Sequence, residues 1–302
     1  MKMWSDTSNK LVDIVMESNA NEELYDPDKT IKYYIQKKDQ KSPSEIDLKM
    51  IGSDNKDIHK NGTWYFSMHG HQGSYIYSPM IPELVAAIHE NRSANVIHVD
   101  WSIGAASNIY PIAAANTKPT GISIAKVIRR LVEIGLAKKD LIHLVGFSLG
   151  GHVVGFIGKT LFKNLGWKPW RITSLDPAGP YFNNKPPEER IDPTDGEYVE
   201  VFHTSQMGLY WPHGHVDIYV NRGSHPQPGC ESALTPSCSH QFAKTVYGNH
   251  THLPMIAYRC TSFEDFKNGN CSHDCKSPCT IGFGGKNCRE GIYQVVTQNF
   301  IE

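Results

Sequence analysis

The sequence predicts an α/β protein: a central, mostly parallel sheet with helices on both faces, folded as a single domain. Three observations support this. Strand-like and helix-like segments alternate through the middle of the chain, which is the rhythm of a parallel sheet. Leu141 to Phe147 is continuously apolar, as a strand covered on both faces must be. Ile122 to Ala137 sets Ile124, Val127, Ile128, Leu131 and Ile134 on one helical face and Lys126, Arg129, Arg130 and Glu133 on another.

In chain order, residues 1–28 are polar, lack a sustained period and end in the turn-like Asp26-Pro27-Asp28, so they read as an N-terminal arm, partly helical at most. Residues 29–302 form the domain. Thr30 to Gln36 reads as a first strand and Thr63 to Met68 as an aromatic strand that stops at His69-Gly70. Pro82 opens a short helix to Glu90, with proline in its first turn. Asn95 to Val99 is a strand, followed by the amphipathic helix and the apolar strand. Gly150 to Phe162 is a glycine-rich helix, and Arg171 to Leu175 is a strand that delivers Asp176. Strands at Tyr198 to His203 and Val216 to Val220, a cysteine-rich segment and a last strand near Ile292 to Thr297 complete the chain.

A formal net charge of -1 offers no whole-chain attraction to nucleic acid or to an anionic membrane. The apolar stretch Trp101 to Thr117 is broken by Ser102, Ser107, Asn108 and Asn116, so no transmembrane segment is expected. All seven cysteines follow position 229, so the last part of the chain, about 230–288, is the part open to stapling. With sequons at Asn61, Asn91, Asn249 and Asn270, this points to a secreted, extracellular glycoprotein. The N-terminus shows no signal-peptide pattern, because Asp13 interrupts Leu11 to Met16; the chain is read as processed, trimmed or a truncated gene model.

Chemistry enters at Gly146-Phe147-Ser148-Leu149-Gly150. In a Gly-x-Ser-x-Gly turn between strand and helix, the serine is exposed on a strained elbow and the glycines make room for it. Acyl transfer by such a serine needs a base to take its proton and a carboxylate to fix the base's tautomer, in the chain order Ser, Asp, His of the α/β-hydrolase fold. Asp176, at a strand's C-terminal end, is the expected acid; Asp192 and Asp195 lie in a Pro-rich polar turn. The base is one of His203, His213, His215, His225, His240, His250, His252 and His273, among which spacing does not choose. Leu149 supplies one oxyanion amide, and the loop at Met68-His69-Gly70-His71 is placed to supply the other. Zinc is the rival use of His69/His71 and His213/His215, but no third ligand stands at a recognisable spacing, so metal is expected to be absent.

Gly146 to His152 and Ser174-Leu175-Asp176-Pro177-Ala178-Gly179-Pro180 make the chain resemble the pancreatic lipase family. The resemblance continues in family order through His69-Gly70, Val99-Asp100-Trp101, Phe202-His203-Thr204-Ser205, Gly214-His215-Val216-Asp217, Pro228-Gly229-Cys230 and Cys238-Ser239-His240. It implies the triad Ser148, Asp176 and His240, with the amides of His71 and Leu149 as oxyanion donors; histidine stands at 71 where the family often has phenylalanine. It also implies disulfides Cys230 to Cys238 and Cys260 to Cys271. Of the rest, Cys275 is expected to pair with Cys279 or Cys288, leaving one thiol because seven is odd, while a zinc knuckle is the rival reading of that cluster.

By the same resemblance, the lid is the segment between Cys230 and Cys238, and here it holds only Glu231, Ser232, Ala233, Leu234, Thr235, Pro236 and Ser237. The loop from Ser205 to Gly214, which borders the acyl groove in the family, is also short; its Met207, Leu209, Tyr210 and Trp211 are candidates for lipid contact, with core packing as the alternative. This combination is similar to the short-lid insect and venom-type phospholipases A1. The expectation is a serine esterase that acts on lipid at a membrane or micelle surface, needing no cofactor, with no C-terminal β-sandwich domain and no colipase. A neutral triacylglycerol or galactolipid lipase, or a non-catalytic lipid-binding protein of the yolk type, are the alternatives.

Overall fold

In this computed structural model, residues 2–5, 10–13, 25–38, 40, 42–75, 85, 88, 93–249, 255–271, 279–281 and 288–297 are described. Strands β1 (Lys2–Ser5) and β2 (Lys10–Asp13) pair antiparallel with each other, so the expected arm contains a hairpin. The remaining described strands form one sheet in the order β12-β11-β13-β10-β9-β8-β7-β5-β6-β3-β4. They are β3 (Lys32–Gln36), β4 (Ser44–Glu45), β5 (Thr63–Met68), β6 (Ala94–Asp100), β7 (Ile142–Phe147), β8 (Arg171–Leu175), β9 (Val199–His203), β10 (Val216–Val220), β11 (Met255–Cys260), β12 (Cys279–Ile281) and β13 (Gly291–Val295). Pairing is parallel from β6 through β5, β7, β8, β9 and β10 to β13, and antiparallel at both margins. This is the α/β-hydrolase arrangement the sequence predicts.

The helices are α1 (Pro27–Thr30), α2 (Ser102–Ala105), α3 (Tyr110–Ala115), α4 (Thr117–Glu133), α5 (Leu149–Leu165), α6 (Ser237–Asn249) and α7 (Phe263–Lys267). Because strand side chains alternate, each central strand feeds two cores. Trp64, Phe66 and Met68 of β5 and Ile142 and Leu144 of β7 pack with Ile124, Val127 and Leu131 of α4 and Val153, Val154 and Ile157 of α5. Tyr65, Val145, Phe147, Leu175 and Phe202 face the other way, onto Phe242, Ala243, Val246 and Tyr247 of α6. Helices therefore cover both faces.

Several boundaries differ from expectation for identifiable reasons. Helix α4 begins at Thr117 instead of Ile122, since Pro119 falls in its first turn, where no backbone N–H is needed. Residues 25–30 dock onto α4 through Tyr25 Oη to Thr120 Oγ1 (3.0 Å) and Asp28 to Ser123 and Lys126 (both 2.6 Å). Of the helix expected from Pro82 to Glu90, only Val85 and Ile88 lie among the described residues; both are helical and face the second core. Asp195, read as part of a polar turn, is fully buried, paired with Lys159 Nζ and accepting Asp192 N–H at 2.9 Å. Burial pushes its carboxyl up to about 7 although Lys159 lies beside it.

The disulfides are Cys230–Cys238, Cys260–Cys271 and Cys279–Cys288. The third corrects the expected pairing of Cys275, which lies outside the described residues, because the β11–β12 pairing holds Cys279 against the second core beside Cys288. Non-reducing peptide mapping is expected to recover these three links; free alkylation of Cys279 and Cys288 would contradict the pairing. Of the sequons, Asn61 and Asn270 are exposed, Asn249 ends α6 and Asn91 lies outside the described residues.

Candidate active site

The chain runs from β5 to β6 on one side of the sheet and then to β7 on the other, so strand order reverses between β5 and β7. Loops leaving the carboxyl ends of strands at such a reversal diverge and leave a crevice. His69 and Gly70 follow β5 there and Ser148 follows β7. Ser148 is the residue between β7 and α5, with φ 55 and ψ -118, a conformation costing about 1–3 kcal/mol for a residue with a side chain. Its amide donates to Leu175 O at 3.0 Å, and its carbonyl accepts from Gly151 and Ala178. The flanking glycines are dictated by close approach: a Cβ on Gly146 would stand 2.1 Å from Gly150 O, and one on Gly150 2.4 Å from Met68 O. Gly70 passes equally near, since a Cβ there would lie 2.8 Å from Ser148 Cβ.

On the adjacent strand, Asp176 follows β8 with φ 42 and is completely buried. Its Oδ1 accepts the amides of Thr204 (2.8 Å) and Ser205 (3.3 Å), and its Oδ2 accepts the Ser205 hydroxyl (2.6 Å). His240, in the first turn of α6, completes that shell with Nδ1 at 2.6 Å from Oδ2. The carboxylate fixes Nδ1 as the protonated nitrogen, which leaves Nε2 with its lone pair. The His240 ring also packs on Phe147, centroids 4.7 Å apart, next to Ser148. Ser148 Oγ and His240 Nε2 are both buried without a partner, and they are the two atoms a proton transfer would join.

The histidines differ in their partners. His203 is held between Asp217 Oδ1 and Leu209 O, both at 2.8 Å. His215 Nδ1 accepts Val199 N–H, and His225 Nδ1 meets Ser239 Oγ. His240 is the one that reaches Asp176 among the described residues; His250, His252 and His273 lie outside them. His69 is committed as well, to Gly70 O at 2.9 Å and to the amide of Trp101 at 3.2 Å. No three His, Cys, Asp or Glu side chains converge as a metal site among the described residues.

Leu149 is the first residue of α5, where a helix leaves its amide free to point outward. Neither its amide nor that of His71 donates to a protein acceptor among the described contacts. The His71 side chain does something the sequence did not suggest. Its Nε2–H donates to Ser107 O at 2.8 Å, and Gln72 N donates to Ala105 O at 2.9 Å, so the loop is pinned to the segment after α2. Burial holds the His71 imidazole below its ordinary pKa, and its side chain is therefore neutral.

Beneath the site, His152 of α5 stacks on Phe182, with Nε2–H to Ala178 O at 2.9 Å and Nδ1 accepting Ile191 N–H at 3.2 Å. Burial pushes it down to about 3. A histidine kept neutral by the fold contributes stability above its ordinary pKa of roughly 6.5, and that contribution is lost as pH falls towards about 3. We expect urea denaturation at pH 5 to show about 2 kcal/mol less stability than at pH 7.5 from this residue, and His152→Gln to flatten that dependence. An unchanged pH slope in the variant would contradict the assignment.

Two groups of candidate lipid contacts are redistributed. Met207 and Leu209 are buried in the first core, on either side of Gly208, whose Cα lies so close to Asp176 that a Cβ would come within 2.6 Å of Oδ1. Gly179 N to Met207 O (2.8 Å) and Leu209 N to Pro177 O (2.7 Å) bind this stretch to the loop after Asp176. Tyr210 and Trp211 are exposed at 47% and 54%. In the lid segment, Leu234 is 99% exposed, whereas Ser237 is buried as the first residue of α6 and so belongs to the helix.

The family model described as Lipase matches residues 18–298. The chain belongs to the lipase family. Lipase member H of Rattus norvegicus is 34% identical over 270 residues, covering 85% of this chain and 57% of the relative. Lipase member H-A of Xenopus laevis is 38% identical, covering 70% and 46%, and Phospholipase A1 member A of Bos taurus is 34% identical with the same coverage. This lipase-family chain thus spans about half the length of the curated relatives it matches. Among solved structures, an alpha/beta hydrolase enzyme from a deep-sea metagenome library matches at 16% identity and a TM-score of 0.33, covering 50% of this chain and 59% of its own. No described helix is long and apolar enough to cross a membrane.

Proposed function

We propose that this lipase-family protein is a secreted phospholipase A1. Ser148 Oγ attacks the sn-1 ester carbonyl as His240 Nε2 takes its proton, and Asp176 steadies the imidazolium through Nδ1–H. The amides of Leu149 and His71 receive the oxyanion. His240 then protonates the departing lysophospholipid alcohol, and a water activated by the same nitrogen releases the fatty acid from Ser148. Support for hydrolysis comes from the unpartnered Ser148 Oγ and His240 Nε2 beside a fully hydrogen-bonded Asp176. Tyr210 and Trp211 supply an interfacial contact, since aromatic rings with a polar edge favour the headgroup region. Exposed Asn61 and Asn270 and the disulfides fit an extracellular site of action.

The observation that carries phospholipid over triacylglycerol is the short lid. Its two ends are linked with Cα atoms 5.7 Å apart, and a loop of this length reaches only about 12 Å from its base. It leaves the groove walls open to polar headgroups instead of roofing a third acyl chain. We expect activity on a soluble short-chain ester to rise smoothly through the critical micelle concentration, and phosphatidylcholine with distinguishable chains to lose its sn-1 fatty acid faster than triolein is hydrolysed. A jump at the micelle threshold with preference for triolein or a galactolipid would replace this reading with a neutral or galactolipid lipase. Lipid binding without any hydrolysis would replace it with a carrier.

A further inference from the structure

Asp176 and His240 come from distant parts of the chain, and their 2.6 Å contact requires that the loop around Thr204 and the start of α6 be held in register. One buried residue touches both, the first through its side chain and the second through its backbone N–H. Gln227, 0% exposed, lies in the connection between β10 and the lid. Its Nε2 lies within donating distance of three carbonyls, Thr204 O (3.0 Å) after β9 and Val220 O (2.8 Å) and Ser224 O (3.0 Å) on either side of the turn after β10. Its Oε1 accepts Asn221 Nδ2 at 2.8 Å. Its backbone N–H donates to Ser239 Oγ at 2.9 Å, and its carbonyl accepts Cys230 N–H at 2.9 Å. Thr204 is the residue whose amide holds Asp176 Oδ1, and Ser239 is the neighbour of His240.

We propose that Gln227, acting with Ser239, is a positioning residue that sets the alignment of His240 on Asp176. The proposal rests on the catalytic reading above. A primary amide suits the task because its two N–H groups meet acceptors only and its oxygen meets a donor, so the side chain has one satisfied orientation. Because the site is buried, removing that amide leaves carbonyls unpaired, and the segment whose backbone N–H holds Ser239 is then no longer tied to the Thr204 loop. Gln227 touches neither Ser148 nor the ester. Its loss therefore acts on the rate of proton transfer and not on substrate affinity.

Gln227→Met, of similar length and without donors, and Ser239→Ala, which cuts the α6 side and leaves the carbonyl contacts, are to be compared with the wild type. The readouts are kcat and KM on a soluble ester, and the far-downfield proton resonance of the Nδ1–H that His240 shares with Asp176. Gln227→Met is expected to lower kcat on the order of 100-fold with KM little changed, the penalty of a misplaced catalytic group, and to shift or erase the resonance. Ser239→Ala should move both in the same direction by roughly tenfold in kcat, and the double variant should fall short of the product of the two losses. Asp195→Asn, destabilised elsewhere, should move neither. Wild-type kcat and resonance in Gln227→Met overturn the proposal, and if that variant does not fold, the same result in Ser239→Ala overturns it. Hydrolysis that survives Ser148→Ala sinks the catalytic reading instead, and the resonance still reports the His240–Asp176 geometry in that protein.

Discussion

Ser148→Gly is expected to abolish ester hydrolysis, by roughly 10⁴- to 10⁶-fold, and at the same time to make the protein more stable. The rate falls because the proposed attacking atom, Ser148 Oγ, is gone. Stability rises by about 1 kcal/mol because glycine adopts the positive φ of 55 without the strain a side chain incurs there, and because a buried unpaired hydroxyl is removed. Ser148→Ala should be as inactive but less stable than the glycine variant, since its Cβ keeps the strain. Thermal unfolding and ester turnover of the two variants check both halves. Retained hydrolysis in clean Ser148→Gly would remove Ser148 from the chemistry.

The second large effect separates two buried aspartates. Asp176→Asn should reduce kcat by about 10⁴-fold with the fold intact. Its amide presents a donor towards His240 Nδ1, which forces the proton to Nε2 and leaves no lone pair for Ser148. Asp195→Asn should do the reverse, retaining turnover while losing a few kcal/mol of stability above neutral pH, because Lys159 is left beside a buried site without its counter-ion. Paired kcat and denaturation measurements distinguish them. If Asp195→Asn is the inactive variant, the acid has been misassigned.

Local chemistry explains which features could be read from the sequence. Strands β5, β8 and β10 are bounded where expected because each is a short run rich in β-branched, aromatic or aliphatic residues closed by glycine, aspartate or asparagine, and such stops act within a few residues. Ser148 was legible for the same reason, as its glycines answer to steric demands inside a single turn. Asp176 was legible from its place at a strand end. His240 was not selected by spacing, because its contact with Asp176 joins residues 64 positions apart, and eight histidines follow that aspartate. The stretch from Met207 to Trp211 looked uniform in hydrophobicity. Backbone contacts between the 207–209 stretch and the loop after Asp176 bury Met207 and Leu209, while Tyr210 and Trp211 beyond them stay exposed, and such long-range contacts leave no trace in local hydrophobicity. Asp195 does lie in the Pro-rich turn read from the sequence, but its burial and its pairing with Lys159 of α5 join distant elements and leave no local signal. Gln227 left no local trace, as a single glutamine among prolines reads like any loop residue.

The order of strands also sets a schedule for assembly. A chain emerges from the ribosome N-terminus first, so β5, β7, α5 and β8 are available early, and with them Ser148 and Asp176. Strand β13 is inserted between β10 and β11, and its Tyr293 and Val295 belong to the same core as Phe242, Val246 and Tyr247 of α6. The helix that bears His240 therefore has no finished bed until residues 291–295 have been made. On the proposed mechanism, a nascent chain therefore carries its nucleophile without a seated base until residues 291–295 have been made.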